Sequence, residues 1–542
     1  LQPLDDKGQA LAIMRSWLTA MPGERLSCVG CHEHSNAAPA VRGGAGLTGP
    51  PAKIKPWSEP VAGFSFEREV QPVLDRHCAG CHDGSAAQPD LRGGTMISDW
   101  SSQMAGNGGG NAGRFSTAYA NLFPYTRANG IEGDYRLLAP MEFHFSASAL
   151  GQLLRKGHHG VELDSDAFAR LVTWVDLNRP YHGSWSSVGY GNADAVKLEA
   201  DRAAMRELFA GVKDNHELVP PLPAAPPEPV VPTPQPPVAN PDLDVAGWPF
   251  DEARAKDLQG SDAGSWLEAG GLRIPLMRIP AGEFVMGDRL GHRDEQPVCA
   301  VRVEKPFFMG KFEITNGQFR KFDPTHDSRV ADALNYQFGQ RPWSLNDDNQ
   351  PVCRVSFRDA LAFCRWLSAE SGRRITLPDE ARWEWAARAG TATALPFGGA
   401  DADFSGRANF ADTNIMRFAA CTAHDSYHGI RIVPNPSRYD LPLLYEPARD
   451  DGQQLSAPPG TYPANAFGLH DMHGNVAEWT LSRYAPYPYR DDARNDPAVP
   501  GERVARGGSW FTRPAEGTSS HRAVYQDYQP VMWVGFRILV EN

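Results

Sequence analysis

No stretch of this 542-residue chain has the roughly 20 consecutive apolar residues that a membrane-crossing helix needs, and none has the apolar region of a signal peptide. Positive charge is also in deficit. The 53 Lys and Arg stand against 65 Asp and Glu, and a net charge of −12 would oppose a phosphate backbone, which excludes nucleic acid as a partner. The chain does not start with Met; Leu1 in that place leads to the expectation that an export signal or a larger preceding segment has been removed. Cysteine is scarce, with eight in the chain and none after Cys421. Apolar (41%) and charged (22%) fractions are those of a soluble globular chain, and the length predicts about three domains instead of one core.

The cysteines that are present carry the strongest signal. CVGCH spans Cys28 to His32 and CAGCH spans Cys78 to His82. Two thiols three positions apart lie one helical turn apart and can add to the two vinyl groups of one porphyrin, and the imidazole of the next residue then reaches the iron. A zinc site built from two CxxC pairs is the rival reading, since thiolate and imidazole suit that metal too, but it does not require His directly after both pairs. Random placement of eight Cys and sixteen His would produce the pattern about 0.003 times per chain. The expectation is two c-type haems, one held by Cys28, Cys31 and His32 and one by Cys78, Cys81 and His82, with His32 and His82 as proximal iron ligands. Covalent haem attachment takes place outside the bacterial cytoplasm, which predicts a periplasmic, extracellular or cell-surface protein. Cys299, Cys353, Cys364 and Cys421 remain, either as two disulfides or as free buried thiols.

Residues 1 to about 190 read as short helices between Gly- and Pro-containing loops, the way a small chain wraps a cofactor that supplies much of its core. Helices are expected from Gln9 to Met21, just before Cys78 (Phe66, Val70, Val73, Leu74 on one face), around Leu150, Leu153 and Leu154 with a stop at Gly157, from Phe168 to Val175, and from about Asp194 to Gly211. Eleven of the 22 residues from Pro220 to Pro241 are proline, a composition that cannot pack as a core and predicts an extended spacer of ~65–70 Å. Beyond it the sequence turns β-branched, aromatic and Gly-rich. Ser356 and Asp359 form an S-x-x-D cap before the stripe Ala360, Phe363, Cys364 and Leu367, ended by Gly372, and a second helix starts near Pro378 and ends at Gly390. The domains expected are 1–62 (first haem region), 63–216 (second haem domain), 217–247 (linker) and 248–542.

IPAGEFVMGD (Ile279 to Asp288), QPVCRVSFRDALAFCRWLS (Gln350 to Ser368), LPDEARWEWAARAG (Leu377 to Gly390), NAFGLHDMHGNVAEW (Asn465 to Trp479), RVARGGSW (Arg503 to Trp510) and VGFR (Val534 to Arg537) resemble, in order, the formylglycine-generating enzyme superfamily. The resemblance implies an α+β fold with much irregular structure. The fold class expected for the whole chain is therefore multidomain, a mostly α cytochrome c-like dihaem region joined to this α+β domain. Oxidase members of the superfamily bind copper through two cysteines whose positions fall here at about Thr512 and Gly517; Cu(I) prefers soft thiolates, so the resemblance implies the fold without formylglycine chemistry. It also implies Ca²⁺ at two hard-oxygen sites, one from Asp471, Glu478 and the carbonyls of Gly474 and Val476, the other from Asn409, Asp451 and the carbonyls of Phe410 and Gln453. His473 and His521 read as structural or surface histidines.

MRSWLTAMPGERLSCVGCHE (Met14 to Glu33), FSFEREVQPVLDRHCAGCHDG (Phe64 to Gly84) and KGHHGVELDSDAFARLVTWVDLNRPYHG (Lys156 to Gly183) resemble planctomycete-type dihaem cytochrome domains, including the cytochrome region of hydrazine synthase alpha subunits. This resemblance implies that His158 or His159 supplies the distal ligand opposite His82, the other capping a helix C-terminus. Opposite His32, the family's tyrosine position holds Asn36, and His34 is too close in sequence to reach the far face. The first iron is thus the candidate for open coordination, with His144, Met104, Met141 and His182 as distant alternatives. The function expected is electron transfer with redox partner proteins, the first haem taking a small N or O ligand, and a C-terminal binding or structural module. Two alternatives stand beside it: a docking protein whose cytochrome part only relays electrons, and an oxidoreductase with substrate held between the halves.

Overall fold

The computed structural model describes residues 4, 7–11, 63–85, 88–97, 115–126, 141–184, 192–213, 227–230, 232, 235–261, 263–331, 343–414, 421–425, 429–433, 446 and 448–541. The first haem motif (Cys28, Cys31, His32), Asn36, Met104 and most of the helix expected from Gln9 to Met21 lie outside the described residues. The chain divides into two compact units: Leu1–Ser148 with His159–Pro234 and Cys421–Asp440, and Ala149–His158 with Gln235–Ala420 and Leu441–Asn542. Among the described residues no helix is long and apolar enough to cross a membrane.

In the first unit a π-turn at Phe66–Val70 runs into a helix at Gln71–His77, with Pro72 in the first turn, where its missing N–H costs nothing. Phe66, Val70, Val73 and Leu74 are its buried face. The helix Ser165–Asp176 starts where Asp164 accepts the Ala167 N–H (2.8 Å) and buries Leu171, Val172, Trp174 and Val175. Between them lies an aromatic core. The Phe66 ring stands 5.0 Å from Tyr119 and 5.2 Å from Trp174, and Tyr119 stands 5.0 Å from Tyr181. The buried Tyr119 hydroxyl donates to the Arg179 carbonyl (2.7 Å), so its burial leaves no polar group unmet.

The second unit begins with α1 (Ala149–Arg155), then α2 (Glu252–Gln259), β1 (Gly264–Ala269), β2 (Leu272–Ile279), β3 (Gly282–Met286), β4 (Cys299–Val303) and β5 (Phe307–Gly310). It continues with α3 (Asn316–Phe319), α4 (Phe357–Ser371), β6 (Ile375–Thr376), α5 (Glu380–Arg388), β7 (Ala477–Arg483), β8 (Glu502–Arg506), β9 (Ala523–Gln526), β10 (Val534–Gly535) and β11 (Leu539–Val540). An antiparallel sheet has the order β6-β11-β5-β2-β1, a second sheet has the order β9-β8-β7-β10 with β7 and β10 parallel, and β3 pairs with β4 as a separate hairpin. Ser356 and Asp359 make a reciprocal capping box on α4, and Gly372 ends the helix in the left-handed conformation (φ 68°). The second helix starts two residues after Pro378, because Asp379 takes the N-cap position and accepts the Arg382 N–H (2.8 Å). Trp383, Trp385, Phe284, Met286, Met309 and Phe467 form the core around α5.

Described pieces of the proline-rich stretch are tied down instead of spanning free. The Val230 N–H donates to the Arg76 carbonyl (2.7 Å) in the first unit. In the second, Arg293 donates to the Pro236 carbonyl (3.1 Å), Arg289 to the Pro241 carbonyl (2.7 Å), and Asn240 accepts the Val298 N–H (2.9 Å). Backbone carbonyls in an extended proline segment have no partner within the segment, so neighbouring donors claim them.

Candidate functional site

The CAGCH motif closes the helix Gln71–His77. Cys81 and His82 both donate their N–H to the Cys78 carbonyl (3.0 and 2.9 Å), which puts the two thiols and the imidazole on one helical turn. His82 Nδ1 lies 3.1 Å from the Pro89 carbonyl oxygen. A carbonyl can only accept, so Nδ1 carries the proton and the lone pair is left on Nε2, the nitrogen a metal would take. Both cysteines are free thiols, and burial, with a smaller effect of Cys81, pushes the Cys78 thiol up to about 12. His158 and His159 stand in a tight turn, His158–Gly160, between Gly157 (φ 76°) and Gly160 (φ 79°), with His159 itself left-handed (φ 47°) and exposed. Of the distant alternatives, His144 is buried with Nδ1 on the Ser146 hydroxyl (2.7 Å), Met141 is buried, and His182 has a buried Nε2 with no hydrogen-bond partner.

The two loops expected to hold calcium differ. Asp451 accepts the N–H groups of Phe410 (3.0 Å) and Gln453 (2.8 Å) and donates its own N–H to Asp412 (2.6 Å). Burial first, and then the charge of Asp412, raise the Asp451 carboxyl to about 7. Two carboxylates thus share a poorly hydrated pocket with no cationic side chain among their described hydrogen-bond donors, which is the electrostatic setting that a hard cation relieves. In the other loop Glu478 already has a cationic partner. Both its oxygens lie 2.7 Å from Arg537 Nε and one accepts the Trp383 N–H (2.8 Å). Asp471 accepts the Gly460 N–H (2.6 Å), and Glu313, unnoticed in the sequence, is buried beside it with its carboxyl raised well above the usual range by burial and by Asp471. Gly474 is left-handed (φ 79°), and Val476 is buried. Arg537 balances part of this charge, while Asp471 and Glu313 remain two buried carboxylates, both raised first by burial.

Around α5 the charged residues face inward. Glu380 accepts from Arg506 (2.8 Å) and from two nitrogens of Arg522 (2.8 and 2.9 Å); Glu384 accepts from Arg388 and the Gly287 N–H, 2.9 Å each. The i, i+4, i+8 spacing of Glu380, Glu384 and Arg388 puts all three on one helix face. His473 is buried with Nε2 on the Ser519 hydroxyl (3.0 Å); burial, aided by three arginines, drops its imidazole to about 3, so it stays neutral. His521 is also buried, so neither histidine is at the surface. Cys299 and Cys364 are free thiols, and Cys353 and Cys364 are buried. Thr512 Oγ bonds within its own turn to Ser509 (2.8 Å), and a Cβ on Gly517 would stand 2.2 Å from the Phe410 ring. The position thus lacks both a thiol and room for one.

Among the described residues a single group of three His, Cys or carboxylate side chains brings its ligand atoms within 4.8 Å of one another, namely His292, Glu295 and His521. It includes none of the haem residues. Sequence reasoning passed over His292 and Glu295, although their i, i+3 spacing is visible.

The sulfatase-modifying factor enzyme 1-like domain matches residues 274–542. The inactive C-alpha-formylglycine-generating enzyme 2 of Bos taurus is 30% identical over 302 residues, covering 48% of this chain and 84% of that protein. The chain belongs to this family. The formylglycine-generating enzyme of Streptomyces coelicolor is likewise 30% identical, over 279 residues, 43% of this chain and 78% of that protein. The structure of PvdO from Pseudomonas aeruginosa aligns with 52% of this chain and 100% of its own at 24% identity, with a TM-score of 0.38. The hydrazine synthase alpha subunit middle domain matches residues 1–33. The sulfatase-modifying-factor-like part thus takes up the larger unit, and the match at the other end stops one residue after the first CxxCH.

Proposed function

We propose that the chain is an exported c-type cytochrome that transfers electrons, carried beside a sulfatase-modifying-factor-like module that has lost copper chemistry. The observation that carries the cytochrome reading is the CAGCH turn, where Cys78 and Cys81 share one turn with His82 and the Pro89 carbonyl fixes the His82 tautomer with its lone pair on Nε2. When bound, a haem there would supply one-electron transfer. The residues themselves do the rest: Cys78 and Cys81 tether, His82 ligates and the Pro89 carbonyl orients its ring. In this reading His158 or His159 would be the second protein ligand for the haem tethered by Cys78 and Cys81, and His182, with a buried Nε2 that has no hydrogen-bond partner, is the described candidate for the haem tethered by Cys28 and Cys31 and ligated by His32. A first haem without such a ligand is the place for a small N or O molecule.

For the module, loss of formylglycine chemistry is supported by Thr512 and the crowded Gly517 where copper-binding cysteines would stand, and by likeness to a relative named inactive. A binding or docking role remains, with Ca²⁺ held at Asn409, Phe410, Asp451 and Gln453 and at Asp471, Gly474, Val476 and Glu478. Optical and EPR spectra of the full chain, oxidised and reduced, with and without CO, test the reading together with a haemochrome count. Two covalent haems per chain, falling to one in Cys78→Ser/Cys81→Ser, are expected, with CO taken up by one haem at most. A chain that carries zinc at the CxxC pairs and no covalent haem would refute it.

A further inference from the structure

We propose that His292, Glu295 and His521 form a binding site for a divalent first-row transition-metal ion, with two imidazole nitrogens and one carboxylate as its protein ligands. All three belong to the larger unit, and neither the haem reading nor the calcium loops use them. Their ligand atoms lie within 4.8 Å of one another. His521 Nδ1 and Glu295 Oε1 are 3.7 Å apart. That is too long for a hydrogen bond, and it is close to the separation of about 3–3.5 Å between two atoms each ~2.1 Å from one tetrahedral or octahedral metal. His521 is 8% exposed, and its Nδ1 is buried with no hydrogen-bond partner. A buried imidazole nitrogen aimed at a carboxylate it does not reach is what a missing shared ligand leaves behind.

The surroundings hold the cluster in place. The second oxygen of Glu295 accepts from the Ser520 hydroxyl (2.7 Å), and Arg522 donates to the Asp294 carbonyl (2.8 Å), so the 292–295 turn and the 519–522 segment are tied on both sides of the cluster. A Cβ on Gly291 would stand 2.3 Å from Glu295 Oε2, and one on Gly287 (φ 96°) would stand 2.4 Å from the Glu295 carbonyl. Glycine at 291 gives the carboxylate its room, and glycine at 287 gives the Glu295 backbone its room. The nearby Lys156 ammonium is engaged by Asp294 (2.8 Å) and does not occupy the carboxylate of Glu295. His292 is only half-buried, leaving one side for exchange. Two nitrogens and one oxygen without a thiolate disfavour Cu(I) and suit Zn²⁺, Fe²⁺ or Co²⁺, and three protein ligands leave positions open for water or substrate.

The test uses the full chain after chelator treatment, titrated calorimetrically with Zn²⁺ and examined by X-ray absorption at the zinc edge. One equivalent of Zn²⁺ in a nitrogen and oxygen shell is expected, with binding weakened at least ten-fold in His292→Ala and in Glu295→Gln. His292 is partly exposed, so His292→Ala should keep the metal-free unfolding temperature and decides the matter even if a buried variant such as His521→Gln fails to fold. Zinc binding unchanged in His292→Ala, or a sulfur shell at ~2.3 Å from the CxxC thiols, would overturn the proposal.

Discussion

Replacing Glu380 by Gln preserves shape and removes one negative charge from a site where Glu380, Arg506 and Arg522 are all 0% exposed. Arg506 keeps Glu384 as a partner, whereas Arg522 keeps no carboxylate, only the carbonyls of Asp294 and Ala485 and the rings of Tyr484 and Tyr487. Breaking one side of a buried ion pair costs about 3–5 kcal/mol, because the remaining guanidinium cannot be rehydrated. For a unit of this size about 2–4 °C of unfolding temperature is lost per kcal/mol, so Glu380→Gln should unfold roughly 6–20 °C below the parent chain. Adding Arg522→Met removes the orphaned charge and should recover part of the loss, a coupling readable from a double-mutant cycle. The pH dependence has a definite sign. Burial alone would raise the Glu380 carboxyl; Arg522 and Arg506 outweigh it and hold the carboxyl below its usual 4.5. The stabilisation is therefore complete above the unfolded value and is lost as pH falls through the folded one, so parent and variant should converge in acid. Thermal or urea unfolding from pH 3 to 8 measures this. A loss under about 1 kcal/mol at pH 7, or a gap that persists unchanged to pH 3, would refute the reasoning.

The remaining expectations are more local. His473, held neutral with a value of about 3 against 6.5 when unfolded, should cost the protein up to about 1.4 kcal/mol per pH unit as pH falls through that window, and His473→Gln should flatten that stretch of the stability curve. An NMR titration of His473 near 6.5 would contradict it. Asp451, raised to about 7, takes stability away from the metal-free chain as pH rises from 3.8, so added Ca²⁺ should raise the unfolding temperature more at pH 8 than at pH 5. An equal shift at both, or one that Asp451→Asn leaves undiminished, rules that site out. Thr512→Cys should fold normally, but adding Gly517→Cys should cost about 1–3 kcal/mol through contact with Phe410 and should not give tight Cu(I) binding; a stable double variant that binds copper would show the packing argument to be unsound.

How far the sequence could be read depended on how local each signal was. Ser356, Asp359 and Gly372 mark α4 because capping is an exchange between residues three apart, and the apolar stripe before Cys78 marks its helix for the same reason. Pro378 missed the start of α5 by two residues because Asp379 takes the cap. The inward charges were not legible. Glu380 meets Arg506 and Arg522 across 126 and 142 residues, and charge patterning places such residues outside unless a partner is known. Glu478 is read as a calcium ligand from its loop; that it also pairs with Arg537, 59 residues on, in a motif recognised only as a family mark, was not legible. His521 read as structural or surface because nothing near it in sequence foretells Glu295.

The short helix α1 stands apart in sequence from everything it packs on. Its Gln152 side chain pairs with both the N–H (3.2 Å) and the carbonyl (2.9 Å) of Val524, as a neighbouring strand would, Arg155 pairs with Glu502, and the next residue, Lys156, pairs with Asp294 (2.8 Å). A protease that nicked the proline-rich stretch would therefore yield two polypeptides that stay associated, cut but not parted. In an evolutionary sense the proline segment is no clean seam either. A sulfatase-modifying-factor-like module transplanted from that point onward would leave behind the ten residues, Ala149–His158, that cover the edge of β9 and neutralise Asp294.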